Sequence, residues 1–101
     1  TFDVSPGDLI ELSDQQAAFG RDFGRLVSEA TGAALLVDYG RDRPGPGDTL
    51  QALRRHAKVD PLATPGEADL TQWADFPAEL EAAVRAGADV TGCLGQGDFL
   101  R

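Results

Sequence analysis

The chain has 101 residues, with 17 Asp and Glu against nine Lys and Arg, for a formal net charge of −8. That length suits one small domain, and a hydrophobic share of 42% beside 26% charged residues is globular and not disordered. A pI near 4.3 repels phosphate backbones and anionic bilayers, and no run of about 18 apolar residues spans a membrane. Nucleic-acid and membrane partners are therefore not expected.

The single cysteine, Cys93, excludes an internal disulfide framework and a multi-cysteine zinc site. It fits a reducing compartment, and the expected location is cytoplasmic. The sequence starts at Thr1 and contains no methionine, so it is expected to be a piece of something longer. No secretory-signal pattern is visible.

Thr1 to Leu12 reads as extended chain and turn, with Ser5-Pro6-Gly7-Asp8 as turn chemistry. From Ser13 a helical pattern begins, in which Phe19, Phe23, Leu26, Val27 and Ala30 share a face. Ser13 or Asp14 caps its start and Thr31-Gly32 ends it, with the glycine taking the left-handed conformation. Gly20 and Gly24, four apart, would let another element approach closely. Ala33 to Val37 is an apolar run without alternation, the signature of a strand buried on both faces of a parallel sheet. It ends in Asp38-Tyr39-Gly40.

Arg41 to Gly47 is loop, and Asp48 is expected to cap a short helix running to about His56. Val59 to Gly66 is loop, and Asp69 to Ala74 fits either extended chain or a helical turn. Asp75 caps a helix from about Phe76 to Ala86, with Pro77 in its first turn and Leu80, Ala83 and Val84 inward. Gly87 closes it. Val90 to Leu94, with Phe99-Leu100, is expected to supply a last strand or strand pair.

Helix, buried strand, helix, strand is an α/β order, but fully buried parallel strands need neighbours on both sides. The pattern therefore describes a single partial domain over 1–101, one half of a doubly wound sheet whose remainder is expected to be N-terminal. Apolar faces left open in isolation would favour aggregation, or pairing with another copy or with the missing part of the chain.

In such sheets ligands collect beyond the carboxyl ends of the strands, which places Asp38 and Tyr39 at a site. Asp38 can hold a guanidinium in bidentate fashion or merely cap local N–H groups. Gly47-Asp48-Thr49 reads as a helix cap in preference to an anion seat, because the Asp48 carboxylate already occupies the positive end. His56 is the one histidine, a candidate proton acceptor beside the more ordinary structural role. No second ligand stands at metal spacing from it, so no metal is expected. Cys93 reads as a buried spectator, with no basic neighbour to lower its pKa. Gln96 faces either a pocket or solvent.

Taken in order, Gly32 to Gly40, Gly47-Asp48-Thr49-Leu50-Gln51-Ala52 with His56, Pro65 to Thr71, Asp75-Phe76 and Gln96 to Leu100 resemble the MidA-like S-adenosylmethionine-dependent methyltransferases. The resemblance implies the C-terminal half of a Rossmann-like class I methyltransferase sheet, with S-adenosylmethionine as methyl donor. One branch of that family is a mitochondrial protein arginine methyltransferase assisting assembly of respiratory complex I, which makes protein arginine the favoured acceptor. The implied reaction is in-line attack of the acceptor nitrogen on the sulfonium methyl, with Asp38, Tyr39 and His56 as catalytic candidates. Asp48, Thr49, Gln51, Asp69, Thr71 and Gln96 are the substrate-binding candidates. The family's glycine-rich donor loop and following acidic residue have no equivalent here, so the cofactor-binding residues are expected upstream. Where relatives carry a histidine between Thr71 and Asp75, this chain has Gln72-Trp73-Ala74. The alternative reading is a non-catalytic interaction or assembly module built on a methyltransferase half.

Overall fold

The computed structural model describes residues 2–101. Its elements in chain order are α1 (Asp14–Ala30), β1 (Gly40–Arg41), β2 (Gln51–Arg54), β3 (Ala57–Val59), β4 (Asp69–Thr71), β5 (Ala74–Asp75), α2 (Phe76–Arg85) and α3 (Gln96–Phe99). The strands form two small sheets. One is a parallel pair, β1 beside β5, with Gly40 opposite Ala74 and Arg41 opposite Asp75. The other is antiparallel in the order β3-β2-β4. No helix of the described residues is long and apolar enough to cross a membrane.

The helices follow the sequence closely. Ser13 Oγ accepts from Gln16 N at 3.2 Å, satisfying an N–H that the first turn leaves free. At the other end it is Thr31, not Gly32, that turns left-handed, at φ 51°. Asp75 caps α2 through Ala78 N, with Pro77 in the first turn, and Gly87 leaves the helix at φ +106°.

α1 and α2 lie backbone to backbone. A Cβ on Gly24 would come within 2.5 Å of Ala83 Cα, and one on Gly20 would fall onto the Glu79 carbonyl. Glycines four apart on α1 thus meet Glu79 and Ala83, four apart on α2. Of the side chains expected inward, Ala83 lies in this seam and is buried, while others sit beside it. Phe19 and Phe23 stack with ring centroids 5.5 Å apart, while Leu26 and Val84 are exposed.

Three expected elements are corrected. Asp48 to His56 is not a helix: residues 51–54 form β2, and Arg55-His56 is a two-residue hairpin turn into β3, both residues with positive φ (51° and 64°). That is the type I′ geometry that suits strand twist, and the β2–β3 ladder outweighs the strain of placing non-glycine residues there. Asp48 therefore caps no helix. Ala33 to Val37 pairs with no strand among the described residues, and Leu35 and Val37 are 66% and 75% exposed. An apolar run becomes a strand only beside a partner ladder, and none of the described residues offers one. Val90 to Leu94 is likewise without regular structure, and Phe99 ends the short helix α3.

The result is a mixed α/β chain whose core is thin. Ala52 and Ala83 are its buried apolar residues, accompanied by Thr49 and Glu79. The radius of gyration is 16.0 Å, against roughly 13 Å for a compact chain of 100 residues. The polypeptide leaves most of its large apolar side chains at the surface.

Candidate functional site

A part-buried polar seam forms where the N-terminal segment, β1 and β5 meet. The Arg41 guanidinium donates to Asp75 Oδ2 at 2.6 Å, to the Gly45 carbonyl at 2.7 Å and to the Glu11 carbonyl at 3.2 Å. The side chains of Arg41 and Asp75 are only 15% and 17% exposed. The Asp75 hydrogen bond holds Arg41 above its ordinary pKa, against the opposing effect of its own desolvation. Asp75 N in turn donates to Gln16 Oε1 at 2.6 Å, which ties the seam to α1.

Beside it, buried Thr49 donates its hydroxyl to the Glu11 carboxylate at 2.8 Å and accepts from Trp73 N at 3.0 Å. Replacing Thr49 by valine keeps the shape but leaves Trp73 N without its acceptor and the Glu11 carboxylate with the Thr49 backbone N–H alone. The expected cost is about 1–3 kcal/mol, read as a lower urea midpoint at unchanged slope. A midpoint that does not move would show that the Thr49 contacts are energetically idle.

The seam fixes the corner on which the catalytic candidates stand. Ala74 N donates to the Tyr39 carbonyl at 2.9 Å. Gly40 lies so close to the Phe76 ring and the Ala74 carbonyl that a Cβ could not be added, which explains the glycine by close approach and not by a sharp turn. Asp38 Oδ1 accepts from Tyr39 N at 2.7 Å, and the Tyr39 side chain is 86% exposed.

Next to this corner runs a groove of about 530 Å³. Its walls are residues 33–38 and 90–94, and its floor includes Phe23 and Val27 of α1 with Phe76 and Leu80 of α2. Asp38 and Gln96 both line it. Cys93 lies on its wall and is exposed, which corrects the expectation of a buried thiol. Partial desolvation and the charges of Asp42 and Glu79 push that thiol up, away from a reactive thiolate.

The other candidates gather elsewhere. Gln51 on β2 pairs with Thr71 on β4, Asp69 lies opposite Leu53, and Thr49 just before β2 belongs to the Glu11 contacts. Asp48 is exposed in the preceding loop, and His56 is exposed at the hairpin tip. Thus Asp38, Tyr39 and Gln96 share one region, and His56 is apart from it. Sequence reasoning missed Glu11 and Arg41. Glu11 and Arg41 carry no motif and meet residues about 30 or more positions away, although the strand-end rule that selected Asp38 pointed within three residues of Arg41.

Among the described residues no three His, Cys, Asp or Glu side chains gather as a metal site. Nor do these residues cradle S-adenosylmethionine. Gly45-Pro46-Gly47 runs into a strand and not into a helix N-terminus, and the starts of α1 and α2 are filled by Ser13 and Asp75.

The chain belongs to the MidA-like family of S-adenosyl-L-methionine-dependent methyltransferases, whose family model matches residues 1–94. Among its relatives is the protein arginine methyltransferase NDUFAF7, mitochondrial, of Xenopus tropicalis, 33% identical over 101 residues, covering 98% of this chain and 23% of that protein. The Drosophila melanogaster homologue is 33% identical over 100 residues, covering 95% and 23%. That of Caenorhabditis elegans is 39% identical over 69 residues, covering 68% and 16%. The chain spans less than a quarter of the length of these curated relatives. Their mitochondrial names overturn the expectation of a cytoplasmic location.

Proposed function

We propose that this chain is the acceptor-side part of an S-adenosylmethionine-dependent methyltransferase acting on protein arginine. The observation that carries the reading is the family match over residues 1–94, joined to relatives named protein arginine methyltransferases. In it, residues 33–37 and 90–94 become strands of a Rossmann-like sheet completed by polypeptide beyond the 101 residues. Three observations support that step: the two segments are apolar, both line one groove, and neither has a strand neighbour among the described residues. Completion would bury Leu35, Val37 and Leu94, each worth roughly 1.5–3 kcal/mol when fully covered.

The donor would supply the methyl group and be held by residues outside this chain, since none of the described residues fits it. Within the chain, Asp38 and Tyr39 stand where a strand-end site would open, and the Arg41–Asp75 seam keeps their backbone in place. Asp38 is suited to hold and polarise a guanidinium through its free oxygen. Gln96 offers an amide across the same groove. Asp69 and Thr71 on the edge strand β4, with Gln51 opposite Thr71, present polar side chains that a protein substrate could follow.

Calorimetric titration with S-adenosylmethionine tests the reading. The 101-residue chain is expected to show no binding, and a protein extended toward the length of the relatives is expected to bind the donor and methylate an arginine peptide. Micromolar binding by the short chain would contradict the division of labour. An extended protein that binds no donor would favour the non-catalytic assembly module.

A further inference from the structure

The glycine seam of α1 and α2 has two sides, and the groove described above opens on one of them. Along the other runs an open hollow of about 490 Å³, bounded by Ala17, Arg21 and Arg25 on α1 and by the stretch from Ala78 to Ala86 on α2 and its C-terminal cap. The contacts of Gly20 with Glu79 and of Gly24 with Ala83 set the two helices running in the same direction. Ala17 and Ala78 therefore lie at one end of the hollow, and Arg25 and Arg85 at the other. From the first end to the second is about 12 Å, two turns of helix.

The lining divides by chemistry. Ala17, Ala78, Ala82 and Ala86 are half-buried and make an apolar floor without bulk, while Arg21, Arg25, Arg85 and Glu81 are exposed. Three of the nine basic residues of a chain with net charge −8 thus gather on one hollow, beside a single carboxylate. Arg85 takes that carboxylate, Arg21 reaches only the exposed Asp22 next to it at 3.6 Å, and Arg25 has no ion pair among the described residues. Like charges on so short a surface repel, and the arrangement becomes favourable when further carboxylates arrive.

We propose that this hollow is a docking site for a short acidic helix of a partner protein. Carboxylates one turn apart on such a helix match the guanidinium groups of Arg21 and Arg25, themselves one turn apart on α1, and another meets Arg85 across the floor. The alanines let its backbone lie close, which larger side chains would prevent. The acidic remainder of the chain repels the same partner, so the charge pattern fixes where it docks more than how tightly. Nucleic acids and anionic bilayers are extended polyanions, and a hollow two turns long cannot hold them clear of the surrounding acidic residues. None of these side chains takes part in the methyltransferase reading, so the two stand or fall separately.

The test uses the full-length protein without methyl donor. A blocked alanine-rich peptide of about 15 residues with glutamates four apart is titrated by calorimetry, beside the same peptide with glutamines in their place and beside inorganic phosphate. The docking site predicts binding of the glutamate peptide alone, weakened by added salt. It further predicts about threefold weaker binding in Arg25→Gln and about tenfold in the variant that also carries Arg21→Gln. Circular dichroism establishes that both variants are folded. Equal binding of the two peptides, or undiminished binding by the double variant, overturns the proposal. Phosphate binding that the double variant abolishes, with the peptide silent, overturns it in favour of a small-anion seat. If the peptide does not bind and the double variant melts lower, the protein's own chain covers the hollow and no partner docks there. Self-association of the full-length protein that the double variant abolishes makes a second copy the occupant, and overturns it equally.

Discussion

Replacing Arg41 by glutamine is expected to destabilise the chain by about 3 kcal/mol, among the largest losses available to a single substitution here. The magnitude comes from what is left behind. Arg41 satisfies the mostly buried Asp75 carboxylate and the carbonyls of Gly45 and Glu11, and glutamine is neutral and shorter. Removing one member of such a pair leaves the other charge uncompensated, which costs more than the pair's net contribution. Asp75 also caps α2 and, through Gln16, fixes α1, so the effect should spread to both helices. Lysine should recover only part of the loss, since a single ammonium cannot serve three acceptors in the guanidinium plane. Urea unfolding of the three proteins checks this. Equal midpoints for the parent and the glutamine variant would show that the seam is held by its backbone alone.

Alanine at Gly24 is expected to cost about 2 kcal/mol net, despite a gain of up to about 1 kcal/mol in helix propensity. The added Cβ meets Ala83 Cα at 2.5 Å, and a backbone atom cannot rotate away as a side chain can. The helices must then separate along the whole Gly20–Gly24 seam, and the Ala83 and Glu79 backbones lose their neighbours. Valine should do more damage still. Gly32, with open space around its missing Cβ, is the control, and alanine there should change stability by less than about 0.5 kcal/mol. Comparison of thermal midpoints decides between them, and a neutral Gly24→Ala would mean that the two helices are not in backbone contact.

The parts legible in the sequence were those decided locally. Ser13 and Asp75 announce helix starts because a side-chain oxygen three residues before a free N–H needs nothing else from the fold. The glycine pair on α1 announced a close approach, although not against which element. Residues 48–56 misled because Leu50, Leu53 and the leading aspartate satisfy a helical period, while the actual arrangement depends on Asp69 to Thr71, which lie some 18 residues further on in the register of β2 with β4. For Ala33 to Val37 and Val90 to Leu94 the composition is that of interior strands, but pairing is a property of neighbours and not of composition. The family assignment stands apart from that failure, because it rests on ordered residues and not on the state of those segments. At the candidate site, strand-end logic selected Asp38 and Tyr39, although the run before them forms no strand among the described residues.

The Arg55-His56 turn has a practical use. Both side chains stand in solvent at the end of a two-strand ribbon, at the opposite end of β2 from Thr49, so this tip does not share its residues with the Arg41 seam or the groove. An antibody epitope or a dye-labelling cassette grafted between these residues would project from the molecule like a handle. It would let the chain be immobilised or tracked with the Asp38 corner left open for docking measurements.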